Sequence, residues 1–213
     1  MTLEQSSRSR GRPRVVARDA IQVAAVELFL DQGYAATTMD QVAVAAGVGR
    51  TTVFRYFASK PALVWWDVEA NYDRLDAALR ASATASAEAS SGGPIDVIDQ
   101  VRHAVHVALV EIGTSSDLMR RRWALIDQDP AVAAELAVLM MRWATRIAAH
   151  VREVLGDAVP SVNADSVGYA VLGATVGASR QWSVDVGDRS LADVLDDVMA
   201  PLGVALRAMV DPR

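Results

Sequence analysis

The sequence predicts an all-α protein with about nine helices. Almost every segment repeats apolar residues at helical spacing, and no stretch alternates convincingly between apolar and polar residues as a half-buried strand does. Of the 213 residues, 52 % are hydrophobic and 22 % are charged. This composition is typical of a globular chain with a substantial core, and it is too apolar for a disordered chain.

The N-terminal quarter of the chain predicts an arm followed by short helices. Residues 1–17 are polar and basic and are expected to form a flexible arm. A first helix is predicted over residues 18–32, where apolar residues fall at helical spacing. Thr38, followed three residues later by Gln41, predicts a capping box that starts a second helix over residues 39–46.

A third short helix is predicted over residues 51–57. A long helix then starts near Pro61, because proline costs little in the first helical turn. Further helices are predicted at 95–112, 116–127, 130–155, 162–184 and 190–210. Pro201 lies inside the last of them and is expected to kink or split it.

Composition and motif searches exclude several classes of function. The chain has no cysteine, which excludes disulfides, cysteine-ligated metals and a cysteine nucleophile. No Ser–His–Asp set, P-loop or dinucleotide-binding glycine pattern occurs, so we expect neither an enzyme nor a cofactor. The longest charge-free run, Ser166 to Ser179, is too short to span a bilayer. We therefore expect a cytoplasmic protein with no membrane partner.

The charge is distributed unevenly along the chain. The net charge is −5, yet residues 1–60 hold eight basic and five acidic side chains. A positive end on an acidic body can bind a polyanion such as DNA while the body stays off it. A solvated tail with scattered charge explains the same distribution, so charge alone leaves both interpretations open.

Two short helices joined by a tight turn, after a longer helix, form the pattern of a helix-turn-helix. In this motif the second short helix lies in the major groove of DNA with its first residues towards the base edges. Val48 and Val53 can fill the angle between the two helices. The outward positions carry hydrogen-bond donors, namely Arg50, Thr51, Thr52 and Tyr56. We therefore expect a double-stranded DNA operator as partner.

Residues 18–64 resemble the DNA-binding domain of TetR-family transcriptional repressors. The matching stretches are AVELFLDQG at 25–33, YAATTM at 34–39, VAVAAGV at 42–48, TTVFRYF at 51–57 and SKPAL at 59–63. The resemblance implies a three-helix DNA-binding domain over residues 18–64. It also implies a larger helical ligand-binding and dimerisation domain over residues 65–213.

The resemblance further implies which residues contact DNA. They are Thr37, Thr38, Arg50, Thr51, Thr52, Phe54, Tyr56 and Lys60, with base edges expected near Arg50 and phosphate near Lys60. Gly49 departs from the serine or threonine that is usual in the family. Phe54 replaces a tyrosine whose hydroxyl reaches the DNA, so it is expected to pack or to touch a sugar or thymine methyl. The arm around Gly11–Arg14 either enters the minor groove or makes no fixed contact.

The last two predicted helices favour a homodimer, because one helix-turn-helix buries too little surface to bind DNA tightly. Small residues on the first helix and an apolar stripe on the second suit close packing against a partner. An intramolecular core is the alternative. The expected interface residues are Val171, Gly173, Ala174, Gly177, Ala178, Trp182, Leu195, Val198 and Leu202.

The middle of the chain is rich in Trp, Met and Tyr, which suit an adaptable apolar ligand cavity. Plain core packing is the alternative for each residue. The expected ligand-binding residues are Trp65, Tyr72, His106, Arg122, Trp123, Ile126, Met140, Trp143 and Ile147. The three arginines at 120–122 either neutralise an acidic head group or are solvated. His103 and His106 lie three residues apart, but a metal site needs more ligands, so no metal is predicted.

Four stretches resemble the TetR-type regulators of mycofactocin gene clusters in actinobacteria. They are FRYFASK at 54–60, VWWD at 64–67, RRRWALI at 120–126 and AVLGATVGASRQW at 170–182. This resemblance implies a small hydrophobic effector such as a long-chain acyl-coenzyme A. A different aromatic or drug-like effector, or an acyl-thioester-binding protein or enzyme, are the alternatives.

Overall fold

The computed structural model describes residues 13–88, 96–110, 116–184 and 189–210, and these form an all-α fold as predicted. The α-helices of the described ranges are α1 (Pro13–Gln32), α2 (Met39–Ala45), α3 (Arg50–Tyr56), α4 (Lys60–Glu88), α5 (Val97–Val110), α6 (Ser116–Gln128), α7 (Pro130–Leu155), α8 (Ser161–Val184) and α9 (Leu191–Val210). A short 3-10 helix, Gly156–Ala158, follows α7. The chain divides between Val64 and Trp65 into two compact units.

The first unit, residues 1–64, contains α1, α2, α3 and the first turn of α4. Its core consists of fully buried apolar side chains from all four helices, namely Ile21, Ala25, Val26, Phe29, Val42, Val53, Phe57, Leu63 and Val64. The Phe29 ring meets the Tyr34 ring edge to face, with 4.9 Å between centroids. Burial of these side chains fixes how α2 and α3 lie on α1, because apolar area removed from water is the main stabilising term.

Helix α1 begins at Pro13, five residues before the predicted start at Arg18. Residues 13–17 are therefore helical and do not belong to a flexible arm. Proline suits the first helical turn because the N–H that it lacks would have no partner inside the helix. The remainder of the predicted arm, residues 1–12, lies outside the described residues.

The second unit, residues 65–213, is built around α7, α8 and α9. Helix α8 packs against both α7 and α9, while α5 packs on α9 and α7, and α6 on α8 and α7. Its core is one continuous apolar cluster that includes Leu75, Leu79, Ile147 and Met199. None of the described helices is both long and apolar enough to cross a membrane.

Helix α9 runs from Leu191 to Val210 without a break, so Pro201 does not split it. Proline removes one N–H from the helical ladder and leaves a carbonyl one turn earlier without its usual donor. Pro201 lies on the exposed side of α9. Solvent can therefore satisfy that carbonyl, which explains why the helix tolerates the proline.

His150, on α7, is fully buried and its Nε2 lies 2.8 Å from the Gln100 Oε1. Because the amide oxygen only accepts, the neutral ring carries its proton on Nε2. The Nδ1 atom has no partner among the described residues. Burial lowers the pKa of His150 below its usual 6.5, and the nearby positive charge of Arg146 lowers it further, whereas Glu153 opposes the shift.

We expect the protein to lose stability as the pH falls below about 6.5. The unfolded chain takes up the His150 proton before the folded chain does, so protonation favours unfolding, with a slope of up to about 1.4 kcal/mol per pH unit. Urea unfolding between pH 7 and pH 5 measures this slope. His150→Leu should flatten it, while His103→Leu, at an exposed site, should leave it unchanged. An equal slope in the His150 variant would contradict this assignment.

Candidate nucleic-acid interface and ligand cavity

Helices α2 and α3 are joined by a turn whose geometry follows from local sequence. Thr38 Oγ1 accepts the Gln41 N–H at 3.3 Å and the Gln41 Oε1 accepts the Thr38 N–H at 2.8 Å, so the predicted capping box is present. Gly47 has a φ of +65°, a conformation that glycine adopts without steric cost. Gly49 is the N-cap of α3 and makes no side-chain cap. These features form a helix-turn-helix within the first unit.

Helix α3 separates its apolar side from its polar side. Val53 and the C-cap residue Phe57 are fully buried, which anchors the helix on the unit. The opposite side exposes Arg50, Thr51 and Phe54, while Thr52 and Tyr56 are half-buried. This arrangement presents the donors that reading of base edges requires.

Two neighbouring side chains restrict the position of the Arg50 guanidinium. Its Nη1 donates to the Asp40 Oδ2 at 3.2 Å, and its guanidinium lies 5.4 Å from the centre of the Phe54 ring. Both partners restrict the rotamers of a long side chain that would otherwise lose entropy on binding. Sequence reasoning missed Asp40, whose only signal is an acidic residue in the first turn of α2.

Two residues predicted to contact DNA bind backbone carbonyls of their own unit in this structure. Thr37 is 1 % exposed, and its hydroxyl donates to the Gly33 carbonyl at 2.9 Å, so we remove it from the interface. The Lys60 Nζ donates to the carbonyls of Tyr34 (2.8 Å) and Ala35 (3.2 Å), and it lies over the Tyr34 ring. Lys60 therefore fastens the loop between α1 and α2 to the start of α4. Thr38 remains exposed at the α2 N-terminus.

A cavity of about 80 Å³ lies within the second unit, between residues of α4, α5, α6, α7, α8 and α9. Its wall is largely apolar. The lining residues are Trp65, Val68, Asn71, Leu109, Met119, Arg122, Trp123, Ile126, Leu136, Met140, Trp143, Thr175, Val176, Ser179 and Leu191. The polar groups Asn71 and Thr175 are buried, and sequence reasoning missed both because isolated polar residues on a helix give no signal.

The cavity unites six of the nine residues predicted to bind a ligand. These are Trp65, Arg122, Trp123, Ile126, Met140 and Trp143. The other three lie elsewhere. Ile147 is part of the core cluster, Tyr72 stacks against the Arg142 guanidinium at 4.5 Å, and His106 is half-buried with its Nδ1 3.9 Å from Asp196. Periodicity placed them on helices correctly but did not identify which side faces the cavity.

The three consecutive arginines all bind groups of their own chain. Arg120 donates to the Ser183 carbonyl at 3.0 Å, and Arg121 donates to Asp117 at 2.9 Å. Arg122 is 1 % exposed and forms two hydrogen bonds of 2.7 Å with the Asp67 carboxylate. Arg120 and Arg121 are partly exposed, as the solvated alternative expects, whereas Arg122 is buried and its charge is already met by Asp67.

Arg180 covers the outer side of the cavity wall. Its guanidinium lies 5.1 Å from the centre of the Trp123 ring and donates twice to Asp127, at 3.0 and 2.7 Å. Hydrogen bonds from Arg180 lower the pKa of Asp127, so the pair is charged at neutral pH. Among the described residues no group of three or more His, Asp or Glu side chains could hold a metal ion.

Three residues predicted for a dimer interface belong to the core of the chain itself. Val171, Ala178 and Leu195 are 1 %, 1 % and 2 % exposed and pack in the central cluster of the second unit. Their assignment to the interface is therefore wrong. Gly168 allows α8 to pack closely against α7 of the same chain. A methyl group at this position would lie only 2.3 Å from the Ala144 carbonyl oxygen.

The other predicted interface residues lie towards the outside of α8 and α9. Gly173 and Gly177 are exposed, and a methyl group on either would meet no described atom within 4 Å. Val198 is exposed, whereas Ala174, Trp182 and Leu202 are half-buried. Tyr169, Val162 and Val184 extend the exposed apolar side of α8.

Comparison with known families matches both units. The family described as "Bacterial regulatory proteins, tetR family" matches residues 21–64, and the family described as "MftR C-terminal domain" matches residues 95–207. The chain is 29 % identical to the "Putative mycofactocin biosynthesis transcriptional regulator MftR" of Mycobacterium tuberculosis, over 92 % of this chain and 94 % of that protein. It is 34 % identical to the "HTH-type transcriptional regulator TcmR" of Streptomyces glaucescens, over 49 % of this chain and 53 % of that protein.

Solved structures share the fold. A TetR-family regulator from Syntrophomonas wolfei aligns with a TM-score of 0.56 and 14 % identity, covering 89 % of this chain and 96 % of that one. A complex of SmeT with triclosan aligns with a TM-score of 0.55 and 18 % identity, covering 92 % of each chain. The curated relatives are named as transcriptional regulators and not as enzymes. With a helix-turn-helix in its first unit and an MftR-type second unit, the chain belongs to the TetR family of DNA-binding transcriptional regulators.

Proposed function

We propose that this regulator is a homodimeric repressor that a small hydrophobic effector releases from its operator. The orientation of α3 is the observation that supports DNA recognition. Val53 and Phe57 are buried, while Arg50 and Thr51 point outward. A helix that is anchored by its buried side and carries hydrogen-bond donors on its exposed side can enter a major groove. Thr38 is exposed at the N-terminus of α2, and we propose that it contacts a phosphate of the DNA backbone.

Arg50→Ala should weaken binding to the operator by roughly 1–3 kcal/mol and relax the base preference at one position of each half-site. The physical reason is the loss of a guanidinium that donates to base edges from a fixed position. Gel shifts on the operator and on random DNA measure both affinities. Arg152→Ala, far along the chain on α7, is the matched control for loss of one positive charge. Equal weakening on random DNA would show that Arg50 contacts phosphate only.

The outer side of α8 and α9 is the surface that we propose for the dimer. Gly173 and Gly177 would admit a second helix closely, and Tyr169, Val198 and Val204 add exposed apolar area. Exposed apolar patches of this kind are typical of association surfaces. Two helices from each protomer would meet there and set the spacing of the two reading helices on successive faces of the duplex.

Gly173→Leu should shift the protein from dimer to monomer. The leucine has space within its own chain, so it should fold, but it would fill the room that a partner helix needs. Light scattering across a concentration series measures the oligomeric state, and circular dichroism checks the fold. A stable, folded dimer would remove this part of α8 from the interface.

The cavity in the second unit is the site that we propose for the effector. It is apolar, and its 80 Å³ is small beside the several hundred Å³ of a typical drug-sized pocket. A compact aromatic effector needs little opening, whereas the acyl chain of an acyl-coenzyme A needs the Met and Leu side chains of the wall to move. The acyl-coenzyme A alternative comes from the resemblance of four stretches to regulators of mycofactocin gene clusters, and the chain is also similar to a protein named as a regulator of mycofactocin biosynthesis.

Effector action is proposed to be a population shift. An effector changes DNA affinity only by as much as it favours the conformation that reads the operator poorly. Helix α4 contributes Lys60 to the first unit and Trp65 and Asp67 to the surroundings of the cavity. Because these residues belong to the same helix, we propose that a movement of α4 on ligand binding also moves Lys60 in the first unit.

The experiment is a gel shift on the DNA that flanks the gene of this protein, with and without an added compound. Lauroyl-coenzyme A, free coenzyme A and triclosan serve as the three compounds. Release by lauroyl-coenzyme A alone supports an acyl thioester, and release by triclosan alone supports an aromatic effector. Specific binding that no compound changes would contradict an effector-released repressor of either kind. Absence of specific binding would contradict the proposed DNA site.

A further inference from the structure

Resting on the proposed effector cavity, we propose that the part of the ligand that enters it is uncharged and carries a hydrogen-bond acceptor such as a ketone, ester or amide carbonyl. Three residues that line the cavity each carry a buried N–H donor that lacks an acceptor among the described residues: Arg122 Nε, Trp123 Nε1 and Trp143 Nε1. Buried donors in native proteins almost always have a partner, because an unpaired one costs about as much as a lost hydrogen bond.

The two tryptophans differ in this respect from other tryptophans of the same unit. The Trp65 Nε1, in the same wall, donates to the Glu135 Oε2 at 3.0 Å. The Trp182 Nε1, away from the cavity, donates to the Arg189 carbonyl at 2.9 Å. The missing acceptors are therefore a property of Trp123 and Trp143. A ligand that fills the cavity and accepts from either ring would supply what the chain lacks.

The charge balance of the cavity favours an uncharged ligand. Arg122 is the charged residue of the wall, and the Asp67 carboxylate already neutralises it through two hydrogen bonds of 2.7 Å. A carboxylate ligand would bring a second negative charge into an apolar site, and the described residues of the wall offer no second cation to meet it. Burying such a charge is costly, whereas a carbonyl oxygen accepts the same N–H groups at no such cost.

The remaining polar groups of the wall allow the same conclusion. Thr175 donates its hydroxyl proton to the Val171 carbonyl at 2.9 Å, and the Asn71 Oδ1 accepts from Arg74 at 2.9 Å. The Thr175 hydroxyl proton and the Asn71 Oδ1 thus have partners within the chain. The buried N–H groups without a partner call for a hydrogen-bond acceptor, and most of the wall is apolar. A ligand with an apolar body and one carbonyl oxygen therefore suits both the apolar wall and the N–H donors.

Acetophenone, cumene and benzoate test this inference, because they share a ring and differ only in the attached group. The carbonyl oxygen of acetophenone is a methyl group in cumene, and benzoate carries the negative charge. Dissociation constants from ligand-observed NMR on the full chain should be about five- to tenfold lower for acetophenone than for cumene, since cumene leaves the donors unpaired. Benzoate should bind more weakly than acetophenone.

Trp123→Phe and Trp143→Phe remove the donors while keeping an aromatic ring. At least one of them should abolish the preference of acetophenone over cumene. Trp65→Phe is the matched control, because its N–H already serves Glu135, and it should retain the preference. Equal binding of acetophenone and cumene to the unaltered protein would overturn the inference but leave an apolar effector cavity in place. Tighter binding of benzoate would overturn the argument from charge. Binding of none of the three would overturn the ligand site itself, while operator gel shifts report separately on the proposed DNA function.

Discussion

Asp67→Ala should destabilise the second unit by about 3–5 kcal/mol, because it leaves the Arg122 guanidinium buried without its carboxylate. Arg122 is 1 % exposed, and both of its Nη atoms donate to Asp67 at 2.7 Å. Truncation to alanine adds no new partner, and the guanidinium of Arg122 remains almost completely buried. Urea unfolding followed by circular dichroism, at one fixed protein concentration, measures the loss.

The Arg180–Asp127 pair is the matched control for this prediction. It has the same geometry, with two hydrogen bonds of 3.0 and 2.7 Å between helices, but both side chains are about half exposed. Solvent screens such a pair and rehydrates the remaining charge, so Asp127→Ala should change stability little. Similar losses in the two variants would show that burial of Arg122 is not the cause.

Replacing both members of the buried pair separates two contributions to the free energy of unfolding. One is the destabilisation caused by a buried charge without a partner, and the other is the stabilisation provided by the pair itself. The double variant Asp67→Leu with Arg122→Met should recover most of the stability that Asp67→Ala loses, because apolar residues of similar size need no partner in the interior. If the double variant were as unstable as Asp67→Ala, the pair itself would be the stabilising element. Arg122→Met also removes one cavity donor, so its ligand binding is a separate measurement.

Gly168→Ala should destabilise the protein by about 3 kcal/mol, at the upper end of the usual cost of overpacking. The added methyl group would lie 2.3 Å from the Ala144 carbonyl oxygen and 3.1 Å from its carbon. These are backbone atoms of α7, so no side chain can rotate away and the two helices must separate. The loss should exceed the gain of about 1 kcal/mol that alanine normally brings to a helix interior. Thermal and urea unfolding measure the difference.

Gly177→Ala on the same helix is the control and has the opposite expected sign. A methyl group there meets no described atom within 4 Å, so only the helix propensity changes and stability should rise slightly. Unfolding at low protein concentration keeps association out of the comparison. Equal destabilisation by the two substitutions would mean that α8 disfavours alanine for a reason other than its contact with α7.

Features that depend on neighbours in sequence were predictable for this chain. The capping box at Thr38 and Gln41 is present, and α7 spans the predicted range of residues 130–155. Arg50 and Thr51 point outward because Val53 occupies the buried side of a short helix. A two-turn helix has one apolar side, so its orientation follows from its own residues.

Features that depend on distant residues were not predictable. The Arg122–Asp67 pair joins residues 55 apart in sequence, and no local pattern distinguishes Arg122 from Arg121 beside it. Thr37 and Lys60 match the motif of a DNA-binding family, yet both bind backbone carbonyls of their own unit. A motif match gives the residue type at a position and does not determine which acceptor lies nearest after folding.

The amino-acid sequence by itself determined the all-α fold, the helix-turn-helix and the polar side of α3, because each follows from spacing and capping within a few residues. Only the tertiary structure decided which side of α8 is core and which is free. Small and apolar residues cover most of α8, so its periodicity fits more than one partner. Gly168 lies so close to Ala144 that its side of α8 packs against α7. The side of α8 that carries Gly173 and Gly177 is exposed.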